Sequence, residues 1–185
     1  MVVSITKSFH CTVVGDGLVG KSCLVERFLG GDFTNEYVAT LQDDYTTKCN
    51  LNGDNLNMNI TDIAGEHEDL ASLDVPDVYI VCFSLVDKDS MESVLNFWVP
   101  RIRSQSKHTP IVLIGTQLDK RRAHKKCHIS TEEGLSSAQS ICAAAYVECS
   151  AKDSTGIDVA FYSVILASNT CSRRKSSLFK RVLGR

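Results

Sequence analysis

From Gly15 to Ser22 the chain reads Gly-Asp-Gly-Leu-Val-Gly-Lys-Ser, which has the spacing G-x-x-x-x-G-K-[ST] of a phosphate-binding loop. The chemistry of a polyphosphate explains these residue types. It is a dense anion, so a loop that holds it must turn its backbone N–H groups inward. Glycines at 15, 17 and 20 permit the turn and a close approach. A following helix N-terminus adds partial positive charge. In such a loop Lys21 reaches the β- and γ-phosphates, and the Ser22 hydroxyl ligates Mg²⁺.

Four further pieces follow in order. Thr40 precedes the second predicted strand, where its hydroxyl offers another Mg²⁺ ligand. Asp62-Ile63-Ala64-Gly65 ends the third, with a carboxylate for the metal and, at Gly65, an N–H for a γ-phosphate. Thr116-Gln117-Leu118-Asp119 ends the fifth. Asp119 there can accept two N–H bonds from the N1/N2 edge of guanine, whereas adenine presents an acceptor at that edge and is repelled. Ser150-Ala151-Lys152 ends the last strand and offers backbone N–H to the guanine O6. Each piece alone is weak. Their joint order behind a phosphate loop is what points to a guanine nucleotide site.

The elements needed to position these residues can be read from periodicity. Phe9–Val14 is an apolar run, and Cys23, Leu24, Val25, Phe28 and Leu29 then recur at helical spacing before Gly30-Gly31. A polar connection over 33–41 leads to two runs, Tyr45–Leu51 and Leu56–Asp62, joined by the hairpin signal Asn52-Gly53. After a polar loop over 66–77, Val78–Phe83 reads as a central strand. Asp89 or Ser90 is expected to cap a helix to about Arg103, kinked or shortened by Pro100. Ile111–Gly115 is another central strand, and 120–128 is a basic, exposed segment. Ser130-Thr131-Glu132-Glu133 is a capping box for a helix to about Ala145, and Tyr146–Cys149 is a final strand. Ile157, Ala160, Phe161, Val164 and Ile165 form one face of a last helix. The alternation gives an α/β fold: a mostly parallel six-stranded sheet with one antiparallel edge hairpin and helices on both faces.

Composition sets the outer bounds. With 185 residues, 43% of them hydrophobic and 23% charged, one ordinary globular domain is expected. A net charge of −2 gives no whole-protein attraction to nucleic acid. The eight cysteines form no C-x-x-C pair, so zinc is not expected, and several lie in apolar runs as buried thiols of a reducing cytosol. No leader peptide or membrane span is expected.

The motif set resembles the small GTPases of the Ras superfamily and, within it, the Rho family, over about residues 9–168. The loop and its continuation Cys23-Leu24 resemble the Rho-type GDGAVGKTCL. Phe33-Thr-Asn-Glu-Tyr37-Val-Ala-Thr40 resembles FPEVYVPT. Trp98-Val99-Pro100, Thr109-Pro110, Thr116-Gln-Leu-Asp119 and Tyr146-Val-Glu-Cys-Ser-Ala151 resemble the Rac and cell-division-cycle branch. The resemblance implies a P-loop NTPase small G-domain, GTP/GDP and Mg²⁺ as ligands, and GTP hydrolysis. It implies that Gly15, Gly17, Val19, Gly20, Lys21, Ser22 and Cys23 surround the phosphates, with Phe33 against the guanine and Tyr37 over the phosphates. Ser22, Thr40 and Asp62 would hold the metal. Thr116, Gln117, Asp119, Ser150, Ala151 and Lys152 would form the base pocket. Lys21, Gly65 and residue 66 would act in hydrolysis. Residues 33–45 and 65–77 would be switches that meet effectors and regulators of a monomeric protein.

This chain departs from the family at several points. Glu66 stands where the water-positioning Gln belongs. An ionised carboxylate only accepts, whereas a Gln amide also donates to the γ-phosphate, so hydrolysis is expected to be slow or atypically regulated. A GTP-loaded, non-hydrolysing scaffold is the alternative. The second switch and the segment after Asp119 are shorter than the Rho pattern, and Leu41-Gln42-Asp43-Asp44 replaces the usual aromatic-bearing effector stretch. The G-domain is expected over 1–170 and a basic tail over 171–185. The tail has no C-a-a-X box but carries Cys171 and basic residues interleaved with Leu178 and Phe179, suited to an anionic membrane surface. Cytoplasmic placement with peripheral membrane contact is the corresponding expectation.

Overall fold

The computed structural model describes residues 7–34, 41–51, 53–64, 70–122, 125 and 127–182, with backbone only at 71 and 170–182. The strands are β1 (Lys7–Val14), β2 (Gln42–Leu51), β3 (Asp54–Ile63), β4 (Val78–Ser84), β5 (Ile111–Thr116) and β6 (Ala145–Glu148). They form one sheet in the order β2-β3-β1-β4-β5-β6. Every pairing is parallel except β2 with β3, where Leu51 opposes Asp54 across a two-residue turn at the sheet edge. Gly53 in that turn has φ +91°, the sign that a tight hairpin requires. The predicted fold class is the one observed.

Side chains alternate between the two faces, as a period of two requires. Val13, Met58, Ile80 and Val112 face α1 (Lys21–Phe28) and α5 (Ile157–Val182), which contribute Leu24, Val25, Phe161 and Val164 to one core. Phe28 stacks on Phe161 with ring centroids 3.7 Å apart. Val14, Tyr79, Phe83 and Leu113 face the other way, toward α2 (Lys88–Ser93), α3 (Val99–Gln105) and α4 (Thr131–Ser140). All seven residues of β4 are buried, because this strand is central and covered on both faces.

Four expectations are corrected. Pro100 does not shorten the helical stretch, which runs on through α3 to Gln105. A π-helical turn, Val94–Trp98, joins α2 to α3, and the Val99 N–H donates to Val94 O, five residues back. The widened turn accommodates a residue that lacks an N–H and would crowd a tighter one. The cap of α2 is Asp87, whose carboxylate accepts from Asp89 N. Ser90 instead turns inward, accepting from Ser84 N and donating to Asp87 O. The capping box at Ser130 and Glu133 is present, but α4 ends at Ser140 rather than near Ala145. Cys142 takes φ +53° and Ala145 pairs with Val112, so the apolar stretch that follows is claimed by the sheet. Within the basic segment, Arg121 is not a free surface charge but forms a two-pronged ion pair with Glu148.

Candidate functional site

The turn between β1 and α1 holds the phosphate-loop residues. Gly15 has φ +141°, and a Cβ there would lie 2.2 Å from Cys82 O, so only glycine fits where the loop leaves the sheet against β4. Gly20 caps α1 at φ +95° with no side-chain cap, and no acidic residue occupies the first helical turn. The positive end of the helix is therefore open to an anion. Lys21 is buried, and its Nζ donates to Gly15 O at 2.9 Å and Asp16 O at 2.8 Å. Burial lowers its pKa, while Asp62 opposes that shift. The cation is thus held inside the curve of the loop by the loop's own carbonyls.

Asp62, at the end of β3, is fully buried, and its Oδ2 accepts from Ser22 Oγ at 2.6 Å. Its Oδ1 is buried with no hydrogen-bond partner. Burial raises the Asp62 pKa, against the Ser22 hydrogen bond and Lys21. An orphaned carboxylate oxygen costs free energy unless something cationic or protic meets it. A hard cation with oxygen ligands suits this pair, so Ser22 and Asp62 fit Mg²⁺.

At the C-terminal end of β5, the Thr116 hydroxyl lies between two acceptors, Val19 O of the phosphate loop and Phe83 O. Gln117, at φ +58°, donates from Nε2 to Leu18 O at 3.0 Å and accepts from Ser84 Oγ at 3.2 Å. Leu18 itself has φ +65°, so both partners sit in the left-handed region. Ser150 Oγ donates to Asp119 Oδ1 at 2.8 Å and accepts from Asp153 N at 3.1 Å. The Ser150 N–H is taken by Thr155 O. Ser150 therefore acts through its hydroxyl, which orients Asp119, and a backbone N–H offered by the Ser150-Ala151-Lys152 stretch falls to Ala151 or Lys152. Ala151 is half-buried and Lys152 exposed beside it, while Phe33 and Cys23 are half-buried. Burial, then Glu26, raises the Cys23 thiol pKa. Tyr37, Thr40, Gly65 and Glu66 lie outside the described residues.

Two attachments of the site were not expected. The Trp98 indole N–H, fully buried in the π turn, donates to Asp16 Oδ1 at 2.7 Å. Gln105, at the end of α3, donates from Nε2 to Leu70 O at 2.6 Å and Leu73 O at 2.9 Å, and accepts from the Tyr79 hydroxyl at 2.6 Å. The second attachment fastens the downstream end of the segment after Asp62. A buried indole N–H and a half-buried amide each need a partner, but the sequence does not show which one.

A mostly parallel sheet with a lysine-bearing glycine loop after its first strand, and the carboxylates of Asp62 at the end of β3 and Asp119 after β5 on either side of that loop, has the layout of a mononucleotide-binding P-loop domain. The family model described as the Ras family matches residues 10–170. The chain is also similar to the Ras-like GTP-binding protein RhoL of Drosophila melanogaster, with 36% identity over 176 residues, covering 90% of this chain and 92% of that one. The chain belongs to the Ras family of small GTPases, whose members bind and hydrolyse GTP and typically use Mg²⁺.

Proposed function

We propose that this chain is a Rho-like member of that family, nearest the Rac and cell-division-cycle branch, and switches between GTP- and GDP-bound states in cytoskeletal or membrane-traffic signalling. The observation that carries the nucleotide reading is the Thr116 hydroxyl on the Val19 carbonyl, which joins the strand end bearing Asp119 to the phosphate loop. One ligand with a base at one end and phosphates at the other can then engage both. Lys21 and the start of α1 hold the phosphates, Ser22, Thr40 and Asp62 the metal, and Asp119 the guanine edge. Bound Mg²⁺ neutralises phosphate charge. Gly15, Gly17, Val19, Gly20 and Cys23 line the phosphates, and Phe33, Gln117, Ala151 and Lys152 enclose the base.

Glu66 replaces a residue that must both accept from water and donate to phosphate, so hydrolysis in this reading is slow or atypically regulated. The same residue favours the second reading, a GTP-loaded scaffold that does not hydrolyse. In either case residues 33–45 and 65–77 meet effectors and regulators. The G-domain spans 1–170 and the protein is monomeric and cytoplasmic. The basic tail from 171 contacts anionic membrane surfaces.

Nucleotide extracted from the purified chain, followed by single-turnover hydrolysis with Mg²⁺, separates the readings. GDP with phosphate release supports the switch, and persistent GTP supports the scaffold. Absence of guanine nucleotide refutes both. Asp119→Asn should weaken guanine binding and admit xanthine nucleotides, and an unchanged base preference would remove Asp119 from the pocket.

A further inference from the structure

Beyond the last backbone bonds of β5 and β6, the chain carrying Asp119 makes a single tight turn, Leu118–Lys120. Its backbone is held at its root, where Leu118 N donates to Cys149 O at 3.0 Å and Cys149 N to Gly115 O at 2.8 Å. Past that root, two side-chain links tie it to the end of β6. One is the Ser150–Asp119 bond described above. The other is Arg121, whose Nη1 and Nη2 each donate at 2.7 Å to the two carboxylate oxygens of Glu148.

Glu148 is built to hold that guanidinium. Its carboxylate also accepts from the Tyr146 hydroxyl at 2.9 Å and from Thr131 Oγ1 at 3.2 Å. The Tyr146 ring reaches it by passing over Gly134 of α4, where a Cβ would lie 2.0 Å from the hydroxyl oxygen. This explains a glycine within a helix, where it otherwise costs stability. Arg121 and Glu148 expose only 20% and 13% of their side chains, so water competes weakly for the pair.

We infer that the Arg121–Glu148 ion pair is a positioning device for base recognition: it holds the Asp119 turn at a set distance from the Ser150–Lys152 loop, and so controls guanine selectivity and nucleotide dwell time. The inference rests on the guanine-pocket reading of Asp119. Arg121 and Glu148 touch no nucleotide in this account and act through Asp119 and Ser150. Two parallel hydrogen bonds fix orientation as well as distance, which one lysine donor cannot do.

The test compares release of GDP and of IDP, whose hypoxanthine lacks the 2-amino group that faces Asp119, from the full chain with Mg²⁺. Arg121→Lys and Glu148→Gln should each speed GDP release about tenfold, the loss expected for a charge-assisted bidentate contact. IDP release should change less, so the preference for GDP over IDP shrinks. The swap Arg121→Glu with Glu148→Arg should recover part of that preference. Lys88→Ala, which breaks the exposed Lys88–Glu133 pair nearby, should change neither rate. A merely structural pair would lower thermal stability and leave the GDP-to-IDP ratio as in the parent. That result in Arg121→Lys, the milder variant, would overturn the inference. A parent protein with no preference for GDP over IDP would instead overturn the pocket reading beneath it.

Discussion

Trp98→Phe probes whether the phosphate loop is held from the helical layer behind it. The indole N–H donates to a carboxylate from a fully buried ring, and a hydrogen bond to a charged acceptor contributes about 1.5–3 kcal/mol. Phenylalanine keeps an aromatic ring against Phe97, which meets Trp98 edge-on at 5.1 Å, but it leaves a void that adds about 1–2 kcal/mol. The total loss of stability should be about 2.5–5 kcal/mol. Volume and hydrogen bond are separated by a double-mutant cycle with Asp16→Ala, in which the void cancels and the coupling should be about 1.5–3 kcal/mol. Urea unfolding followed by far-ultraviolet circular dichroism suits all four proteins, since Trp98 is the only tryptophan and fluorescence would vanish in two of them. The Asp16 carbonyl is one of the two acceptors of Lys21 Nζ, so both single variants should also release GDP faster. A coupling below about 0.5 kcal/mol, with GDP release unchanged, would refute the idea that this bond holds the loop.

Asp62→Ala removes both the Ser22 partner and the orphaned oxygen; EDTA, which should speed GDP release from the parent, should then have little further effect. Preserved sensitivity to EDTA would take Asp62 out of the metal site. Gln105→Leu strips partners from the Tyr79 hydroxyl and from the Leu70 and Leu73 carbonyls, and should cost about 1–3 kcal/mol in denaturant unfolding. An unaltered midpoint would show that water replaces the amide. For Glu148, burial pushes the pKa up, but hydrogen bonds from Arg121 and Tyr146 outweigh it and hold the carboxyl below its ordinary 4.5. A depressed native pKa stabilises the fold above 4.5 and ceases to do so as pH falls through the lower native value. Stability of the parent should therefore fall more steeply over that acid range than that of Glu148→Gln. Glu133, also depressed, is common to both proteins and cancels in the comparison. Parallel acid profiles would refute the assignment.

What the sequence revealed and what it concealed divide by how local the cause is. The glycine loop, the Asn52-Gly53 turn and the Ser130–Glu133 capping box are each written within a few residues, because their chemistry closes within one turn of chain. Asp119 and Ser150 were legible from afar only because each ends a recognisable strand. Trp98 and Asp16 lie 82 positions apart, Gln105 and Leu70 35, and Arg121 and Glu148 27; nothing local to either partner names the other. The misread boundaries share another cause. Asp87, Asp89 and Ser90 are all competent caps, and the carbonyl that needs Ser90 belongs to the same turn. After Ser140 an apolar stretch satisfies helix and strand alike, until pairing with β5 decides.

The unforeseen contacts concentrate on the loop itself. Thr116 meets Val19, Gln117 meets Leu18 and Trp98 meets Asp16, so three successive parts of the phosphate loop are bonded to side chains from two other elements. A loop of glycines has the most conformational freedom to lose on ordering, and a ligand would have to supply that cost on binding. Bonds to β5's end and to the π turn move the cost into folding, where the buried sheet carries it. The wide turn before Pro100 belongs to the same device, because it delivers the Trp98 indole to Asp16. Substitutions at Trp98 or Thr116 should consequently weaken triphosphate and diphosphate binding together. Substitution of Asp119, which in the proposed reading faces the base and not the phosphates, should alter which nucleotide is chosen while leaving the phosphate grip intact.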